Sequence, residues 1–132
     1  MAQSAPVVVF SGTRTWTARS VVYQCVDKLL AKHPDLTIRH GAARGLDTIV
    51  DGYARGHDVP VESFPADWDG LGKRAGIERN IAMLDAGCIG VVAFLQPGST
   101  GTNHMIGEAI NRGIPVWLIW NPADDVIKFY HR

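Results

Sequence analysis

The chain has few cysteines and no apolar segment long enough to suggest a membrane protein. Its two cysteines, Cys25 and Cys88, occur in 132 residues, and neither has a partner at metal-ligand or redox spacing. No apolar run approaches the length of a membrane span, and the first five residues lack a signal-peptide pattern. We therefore expect buried free thiols in a reducing compartment, no membrane partner and a cytoplasmic location.

The chain also lacks an excess of charge of either sign. Thirteen Lys and Arg residues balance thirteen Asp and Glu residues, which leaves a net charge of +0. Proteins that bind nucleic-acid backbone usually carry a basic excess, so this balance argues against nucleic acid as the main partner. The length fits a single domain.

Several ligand-binding signatures are missing as well. The histidines show no metal-ligand spacing with one another or with the cysteines, so the sequence predicts no metal site. It contains neither a Walker phosphate loop nor a regular G-x-G-x-x-G, which disfavours an NTPase and a dinucleotide oxidoreductase. We expect no cofactor.

Five apolar runs alternate with four segments of helical periodicity. Strands are predicted at 7–10, 36–39, 59–64, 89–95 and 115–120, and helices at 17–33, 46–56, 77–87 and 105–113. Such alternation predicts right-handed βαβ units. The expected fold is α/β, a Rossmann-like three-layer α/β/α domain with a five-stranded parallel sheet in the order 3-2-1-4-5. This domain is predicted to span 6–120, with tails at 1–5 and 121–132 and at most a short helix in the second tail.

Three of the predicted strands end in glycine-bearing turns that carry Arg, Ser or Thr. These turns span 11–14 (Ser-Gly-Thr-Arg), 40–45 (His-Gly-Ala-Ala-Arg-Gly) and 97–102 (Pro-Gly-Ser-Thr-Gly-Thr). In an open α/β sheet they lie at the carboxyl ends of the strands, where ligands bind. Glycine lets backbone N–H groups approach an anion, and a helix N-terminus adds further donors. The sequence therefore predicts a pocket for a phosphate-bearing small molecule.

Each side chain in these turns also has an ordinary structural interpretation. Arg14 taken alone is typical of a surface arginine beside a tight turn. Asp47, in the first turn of a helix, is typical of a complement to the helix dipole. Trp68 and Trp16 could stack on a base or pack over the edge of the core. His40 is interpreted as a satisfied polar group at a strand end rather than a general base.

Taken together, four segments resemble the SLOG superfamily. They are 11–14, His-Gly-Ala-Ala-Arg-Gly-Leu-Asp at 40–47, Arg-Asn-x-x-Met at 79–83 and 97–102. The likeness is strongest to the small stand-alone branch related to YspA and YpsA proteins, which bacteria and their phages often carry. A Pro-x-Asp-Trp stretch at 65–68 is also typical of that branch. The resemblance implies a Rossmann-like sheet that binds nucleotides or nucleotide-derived signals. Because relatives are commonly dimers, it also leaves a homodimer as an open alternative.

Two groups of relatives suggest alternative activities. The lonely-guy phosphoribohydrolases share a Pro-Gly-Gly-x-Gly-Thr-x-x-Glu motif and cleave the N-glycosidic bond of nucleoside monophosphates. Here Ser99 replaces the second glycine, Met105 occupies the Glu position, and the nearest acid, Glu108, lies about 4.5 Å further along a helix axis. The DNA-processing protein of natural transformation binds single-stranded DNA and resembles this chain at 41–47 and at 79–80.

The predicted function is binding of a nucleotide or nucleotide-derived ligand, as a sensor or sequestering protein. The alternative is an N-glycosidic bond hydrolase with Glu108 or Asp47 as the catalytic residue, and single-stranded DNA binding ranks third. Arg14, Arg44 and Arg79 are expected to supply positive charge. The predicted ligand-binding residues are Ser11, Gly12, Thr13, Arg14, Gly41, Arg44, Gly45, Asp47, Asp67, Trp68, Arg79, Asn80, Pro97, Gly98, Ser99, Thr100, Gly101 and Thr102.

Overall fold

Strands and helices alternate through most of the chain. The computed structural model describes residues 5–123 and 126–131, so most of the predicted N-terminal tail lies outside the described residues. The strands are β1 (Val7–Gly12), β2 (Thr37–His40), β3 (Val61–Ser63), β4 (Gly90–Leu95), β5 (Val116–Ala123) and β6 (Val126–His131). The helices are α1 (Arg19–Lys32), α2 (Leu46–Gly56), α3 (Trp68–Leu71), α4 (Ala75–Asp85) and α5 (Thr100–Asn111), with a 3-10 turn at Gly72–Arg74.

The six strands form one sheet in the order β3-β2-β1-β4-β5-β6. The first five are parallel, which confirms the predicted order 3-2-1-4-5. β1 lies between β2 and β4, with Val8 opposite Ile38 on one side and Gly90 on the other. The winding direction reverses between β1 and β4, and ligand sites of open α/β sheets lie at this kind of reversal.

Helices cover both faces of the sheet and create two hydrophobic clusters. Val8 and Phe10 face α1 and α2, whereas Val9 faces α4 and α5. Successive residues of a strand point to opposite faces, so an apolar run such as 7–10 is what a doubly covered strand requires. The three-layer prediction is confirmed. Among the described residues, no helix is long and apolar enough to cross a bilayer.

The segment after residue 120 differs from the expectation of a tail with at most a short helix. β5 continues to Ala123, and Val126–His131 form β6, which runs antiparallel to β5 with Leu118 opposite Tyr130. The outer edge of β5 offers unpaired N–H and C=O groups that a returning strand can satisfy. The aromatic residues Phe129 and Tyr130 also favour strand structure. This strand is an addition to the predicted sheet.

The stretch between β3 and α4, in which no strand or helix is predicted from the sequence, contains the short helix α3 and the 3-10 turn. Asp67 caps α3, because its carboxylate accepts a hydrogen bond from the Gly70 N–H at 2.9 Å. α3 has no buried residue, so it lies on the surface beside the carboxyl ends of the strands. This position places α3 at the edge of the sheet where ligands bind in open α/β folds.

Candidate functional site at the carboxyl ends of β1 and β4

A cavity of about 460 Å³ opens where β1 and β4 end. Its volume falls within the range of about 300–1,000 Å³ that is usual for small-molecule sites. Its walls are the turns after β1, β2 and β4, the starts of α2 and α5, part of α4, and Trp68 from α3. The lining residues are Phe10, Ser11, Gly12, Thr13, Arg14, Thr15, Gly41, Ala43, Asp47, Trp68, Gly76, Arg79, Asn80, Met83, Pro97, Gly98, Ser99, Thr100, Gly101 and Thr102.

The β1 turn is tied to the β4 turn through Gln96. The hydroxyls of Thr13 and Thr15 both donate to Gln96 Oε1, at 2.6 and 2.8 Å. The Thr13 N–H donates across the same boundary to the carbonyl of Phe94 at 3.3 Å. These bonds hold the two turns in a fixed arrangement across the point where the winding reverses.

Gly12 and Gly45 are required by packing between β1 and α2. A Cβ on Gly12 would lie 2.5 Å from Leu46 Cγ, so the absence of a side chain lets α2 approach the strand. Gly45 has a φ of +71°, and a side chain there would overlap the backbone of Thr13 and Arg14. The Leu46 N–H donates to the Thr13 carbonyl at 3.2 Å. These two glycines therefore bring the start of α2 against the β1 turn.

The turn at 97–102 leaves donors at the start of α5. The Ser99 hydroxyl donates to the Gln96 carbonyl at 2.6 Å and does not cap the helix. The first intrahelical donor is the N–H of Asn103, which bonds to the Ser99 carbonyl. The N–H groups of Gly101 and Thr102 have no acceptor within the part of the chain that the structure describes. Uncapped N–H groups at the positive end of a helix dipole form a common anion site.

Arg79 and Asn80 connect α4 to the other walls. Arg79 donates to the Gly41 carbonyl and, through Nε, to Asn80 Oδ1 at 3.0 Å. Asn80 in turn donates to the Gly101 carbonyl at 3.1 Å. Burial lowers the pKa of Arg79, the Asp47 charge opposes that shift, and the Arg14 charge adds to it. The two arginines are therefore close enough to repel each other.

A second guanidinium lies at the mouth of the cavity. Arg14 is placed over the Trp68 ring, with its Cζ 5.3 Å from the ring centroid. Neither Arg14 nor Arg79 forms an ion pair with a carboxylate in the described residues. The cavity thus holds two cationic groups whose charge no acidic side chain neutralises directly.

Asp47 is the acidic residue in the cavity wall. Its Oδ2 accepts hydrogen bonds from the N–H groups of Gly41 and Ala43, at 3.1 and 3.2 Å. Its Oδ1 is buried and has no hydrogen-bond partner among the described residues. Burial raises the pKa of this carboxyl above 3.8, while the backbone bonds and the nearby charges of His40 and Arg79 act in the opposite direction.

Several predicted residues do not line the cavity. Arg44 is exposed, and Gly45 packs against the backbone of Thr13 and Arg14. Asp67 is the N-cap of α3. Glu108 lies further along α5, where it forms an ion pair with Arg112 and lies 3.8 Å from His104 Nε2.

The side chains of Trp16 and His40 have structural roles. Trp16 is buried, packs edge-on against Phe94 with the ring centroids 5.2 Å apart, and donates to the Ala18 carbonyl. It is therefore part of the core and is not available to stack on a base. Both ring nitrogens of His40 form hydrogen bonds, one with the Ala42 N–H and one with Asp51. His40 is therefore a satisfied polar group at the end of a strand, as the sequence predicts.

Thr15 and Gly76 line the cavity, and Gln96 joins two of its turns. None of these three residues is predicted as a site residue from the sequence. Gln96 immediately precedes the 97–102 motif, and a polar residue at the end of an apolar strand was the available signal. Gly76 packs against Trp68, since a Cβ there would lie 3.3 Å from Trp68 Cη2. No sequence pattern marks that contact.

The winding reversal and the cavity beside it define a Rossmann-like α/β domain. Residues 6–70 match the family described as "YspA, cpYpsA-related SLOG family". The chain is also similar to "Gene 61 protein" of Mycobacterium phage D29, with 40% identity over 115 residues that cover 83% of this chain and 92% of that protein. The chain belongs to the YspA, cpYpsA-related SLOG family. That membership suggests a nucleotide-derived ligand in general terms.

Proposed function

We propose that this protein binds a nucleotide or nucleotide-derived small molecule in the cavity, as a sensor or sequestering protein. The observation that carries the proposal is the convergence of Arg14, Arg79 and the uncapped start of α5 on one hollow. Two guanidinium groups without a carboxylate partner favour a ligand with more than one negative charge. The cytoplasmic location and the homodimer stay predictions, and the free cysteines support the former.

The arrangement suggests how such a ligand would lie. A phosphate would accept hydrogen bonds from the N–H groups of Gly101 and Thr102, and the guanidinium of Arg79 would supply a positive charge opposite it. Arg14 lies over one face of the half-exposed Trp68 indole, and the base would stack on the opposite face, since base–aromatic stacking is a common mode of nucleotide recognition.

Hydrolysis of an N-glycosidic bond is the second candidate function, and the buried carboxyl of Asp47 in the cavity wall is the observation that favours it. A buried carboxyl with a raised pKa is a candidate general acid. Glycoside hydrolysis usually needs a pair of carboxylates, and Asp47 is the single acid among the described residues that line the cavity. Release of free base from nucleoside monophosphates, abolished in Asp47→Ala, would promote this candidate over binding alone.

Binding of single-stranded DNA ranks third. Its test is oligonucleotide affinity that falls steeply with salt, which binding of a single nucleotide in the cavity would not produce to the same extent.

The central experiment uses two glycines of α5. A Cβ on Gly101 or on Gly107 would meet no atom within 4 Å, so Gly→Ala should preserve the fold and add up to about 1 kcal/mol of helix stability at either site. The Cβ of a helical residue tilts toward the N-terminus. A methyl group at position 101 would therefore project over the donors proposed for phosphate, whereas one at position 107 would not.

The readout is thermal unfolding with nucleoside mono-, di- and triphosphates and dinucleotides joined through phosphates. A ligand at a hundred times its Kd stabilises the fold by about 2.7 kcal/mol. We expect a shift of several degrees for wild type and Gly107→Ala, and at least about tenfold weaker binding for Gly101→Ala. The proposal would be overturned if no compound of the panel raised the melting temperature of the wild type, or if Gly101→Ala and Gly107→Ala bound the ligand equally well.

A further inference from the structure

The Asp47 carboxylate has two oxygens in different surroundings. Oδ2 is fully used, since it accepts from the N–H groups of Gly41 and Ala43. Oδ1 has no partner within the described chain, although the residue is only 5% exposed. Burying an acceptor without a donor is unfavourable, and nearly all such atoms in native structures are satisfied. This unpartnered atom belongs to a side chain that lines the cavity.

The cationic groups near Asp47 are directed elsewhere. His40 places Nε2 2.8 Å from Asp51, and its Nδ1 accepts from the Ala42 N–H. Arg79 directs Nε to Asn80 and one terminal nitrogen to the Gly41 carbonyl. Neither side chain hydrogen-bonds to Asp47, so its buried Oδ1 is left without a donor from the described chain.

The position of Asp47 separates it from the proposed phosphate site. Asp47 follows β2, the uncapped N–H groups follow β4, and β1 lies between these two strands. Neighbouring strands lie about 4.8 Å apart, so the two ends are separated by two such spacings. An inorganic phosphate is too small to contact both, whereas a nucleotide carries groups at both ends.

We propose that Asp47 Oδ1 accepts a hydrogen bond from a neutral donor of the ligand, a sugar hydroxyl or a base N–H. Asp47 would thereby select nucleotides over simple phosphate compounds. The inference rests on the proposed function, because it assumes that the cavity binds a nucleotide. It assigns Asp47 to specificity and does not require that the ligand be cleaved.

The decisive variant is Asp47→Asn. The two backbone N–H groups that Oδ2 now serves require an oxygen, so the introduced amide would keep its oxygen there and present its NH₂ group at the place of Oδ1. The substitution therefore changes the unpaired acceptor into a donor with little change in shape. Asp58→Asn is the matched control, because Asp58 is exposed and does not line the cavity, and asparagine tolerates its positive φ of 57°.

The probes are the four common nucleoside 5′-monophosphates, their 2′- and 3′-deoxy analogues, ribose 5-phosphate and inorganic pyrophosphate, measured by calorimetry. We expect Asp47→Asn to weaken nucleotide binding at least about tenfold, while pyrophosphate binds equally or more tightly because a negative charge is lost. A matching loss for ribose 5-phosphate identifies a sugar hydroxyl as the donor. A loss confined to nucleotides, with deoxy analogues binding like their parents, identifies a base N–H.

Other outcomes overturn the inference. If Asp47 only repels anions, Asp47→Asn will bind nucleotides more tightly. If the variant distorts the cavity, pyrophosphate will lose affinity in parallel. Nucleotide binding that depends on Gly101 but not on Asp47 overturns this inference and leaves the proposed function standing, whereas a wild-type protein that binds no probe overturns both.

Discussion

The Arg14 guanidinium lies over the indole of Trp68, with its Cζ 5.3 Å from the ring centroid. This contact joins the β1 turn to α3, two segments that are 54 positions apart in the sequence. Stacking occupies the face of the guanidinium and leaves its N–H edge available for an anion. The pair therefore forms part of the cavity mouth without using up its hydrogen-bonding groups.

Removing the charge of Arg14 should weaken ligand binding. Arg14→Gln is expected to lower the affinity for a nucleotide about tenfold or more, because a charge-assisted bond to phosphate is lost. Arg44→Gln removes the same charge from an exposed arginine that does not line the cavity, and should weaken binding far less. Calorimetric titration of both variants tests this, and equal losses would indicate a general electrostatic effect.

Trp68 should matter for the base and not for the phosphate. Trp68→Ala is expected to reduce nucleotide binding by about 1–3 kcal/mol, the usual worth of stacking a base on an aromatic ring. Pyrophosphate affinity should change little. Parallel losses for both ligands would mean that the substitution disturbs the cavity as a whole, and a circular dichroism melt would then show reduced stability.

The close approach of β1 and α2 gives a prediction about stability. Gly12→Ala should destabilise the fold by about 1–3 kcal/mol, the usual cost of overpacking, because its Cβ would lie 2.5 Å from Leu46 Cγ. A Cβ there would also lie 2.6 Å from Leu46 Cβ, so shortening Leu46 to alanine would not remove the overlap. Gly52→Ala, at a position in α2 where a Cβ meets nothing, is the control. Urea unfolding measures both variants, and equal stabilities would contradict the packing explanation.

Asp47 should make stability fall as the pH rises. Its pKa in the fold is raised above the ordinary 3.8 by burial, against its backbone bonds and the charges of His40 and Arg79. From pH 3.8 up to the folded pKa the unfolded chain binds fewer protons, so the free energy of unfolding decreases there. Each pKa unit corresponds to about 1.4 kcal/mol.

Because asparagine does not titrate, Asp47→Asn should be more stable than wild type at neutral pH. The difference should disappear below about pH 3.8, where the carboxyl is protonated in both states. Chemical denaturation at about pH 3 and about pH 7 measures this. A variant that is less stable at neutral pH would show that the carboxylate is favourably solvated in the fold.

Much of this architecture could be predicted because its causes are local. Continuous apolar runs with helical segments between them indicate parallel strands, and parallel strands place their glycine-bearing turns on one edge. Contacts between distant residues could not be predicted in the same way. Gly12 is predicted as a ligand-binding residue and does line the cavity, yet the atom that would meet its Cβ belongs to Leu46.

Arg39 illustrates a related limit. In the sequence it is merely the last residue of a predicted strand. In the structure it is buried, donates to the carbonyls of Met83 and Gly87, and pairs with Glu62. Only the three-dimensional arrangement brings those carbonyls together, so no periodicity could reveal them. Arg44 shows the reverse, a residue within a clear motif whose side chain does not line the cavity.

The antiparallel strand β6 has a practical consequence for anyone who shortens this chain. A fragment that stops at Trp120, where the sequence suggests a natural end, would leave the backbone of Val-Trp-Leu-Ile-Trp at 116–120 unpaired along one side. Bare, hydrophobic strand margins recruit other chains into intermolecular ladders. Such a fragment would keep every wall of the cavity and still be prone to precipitate.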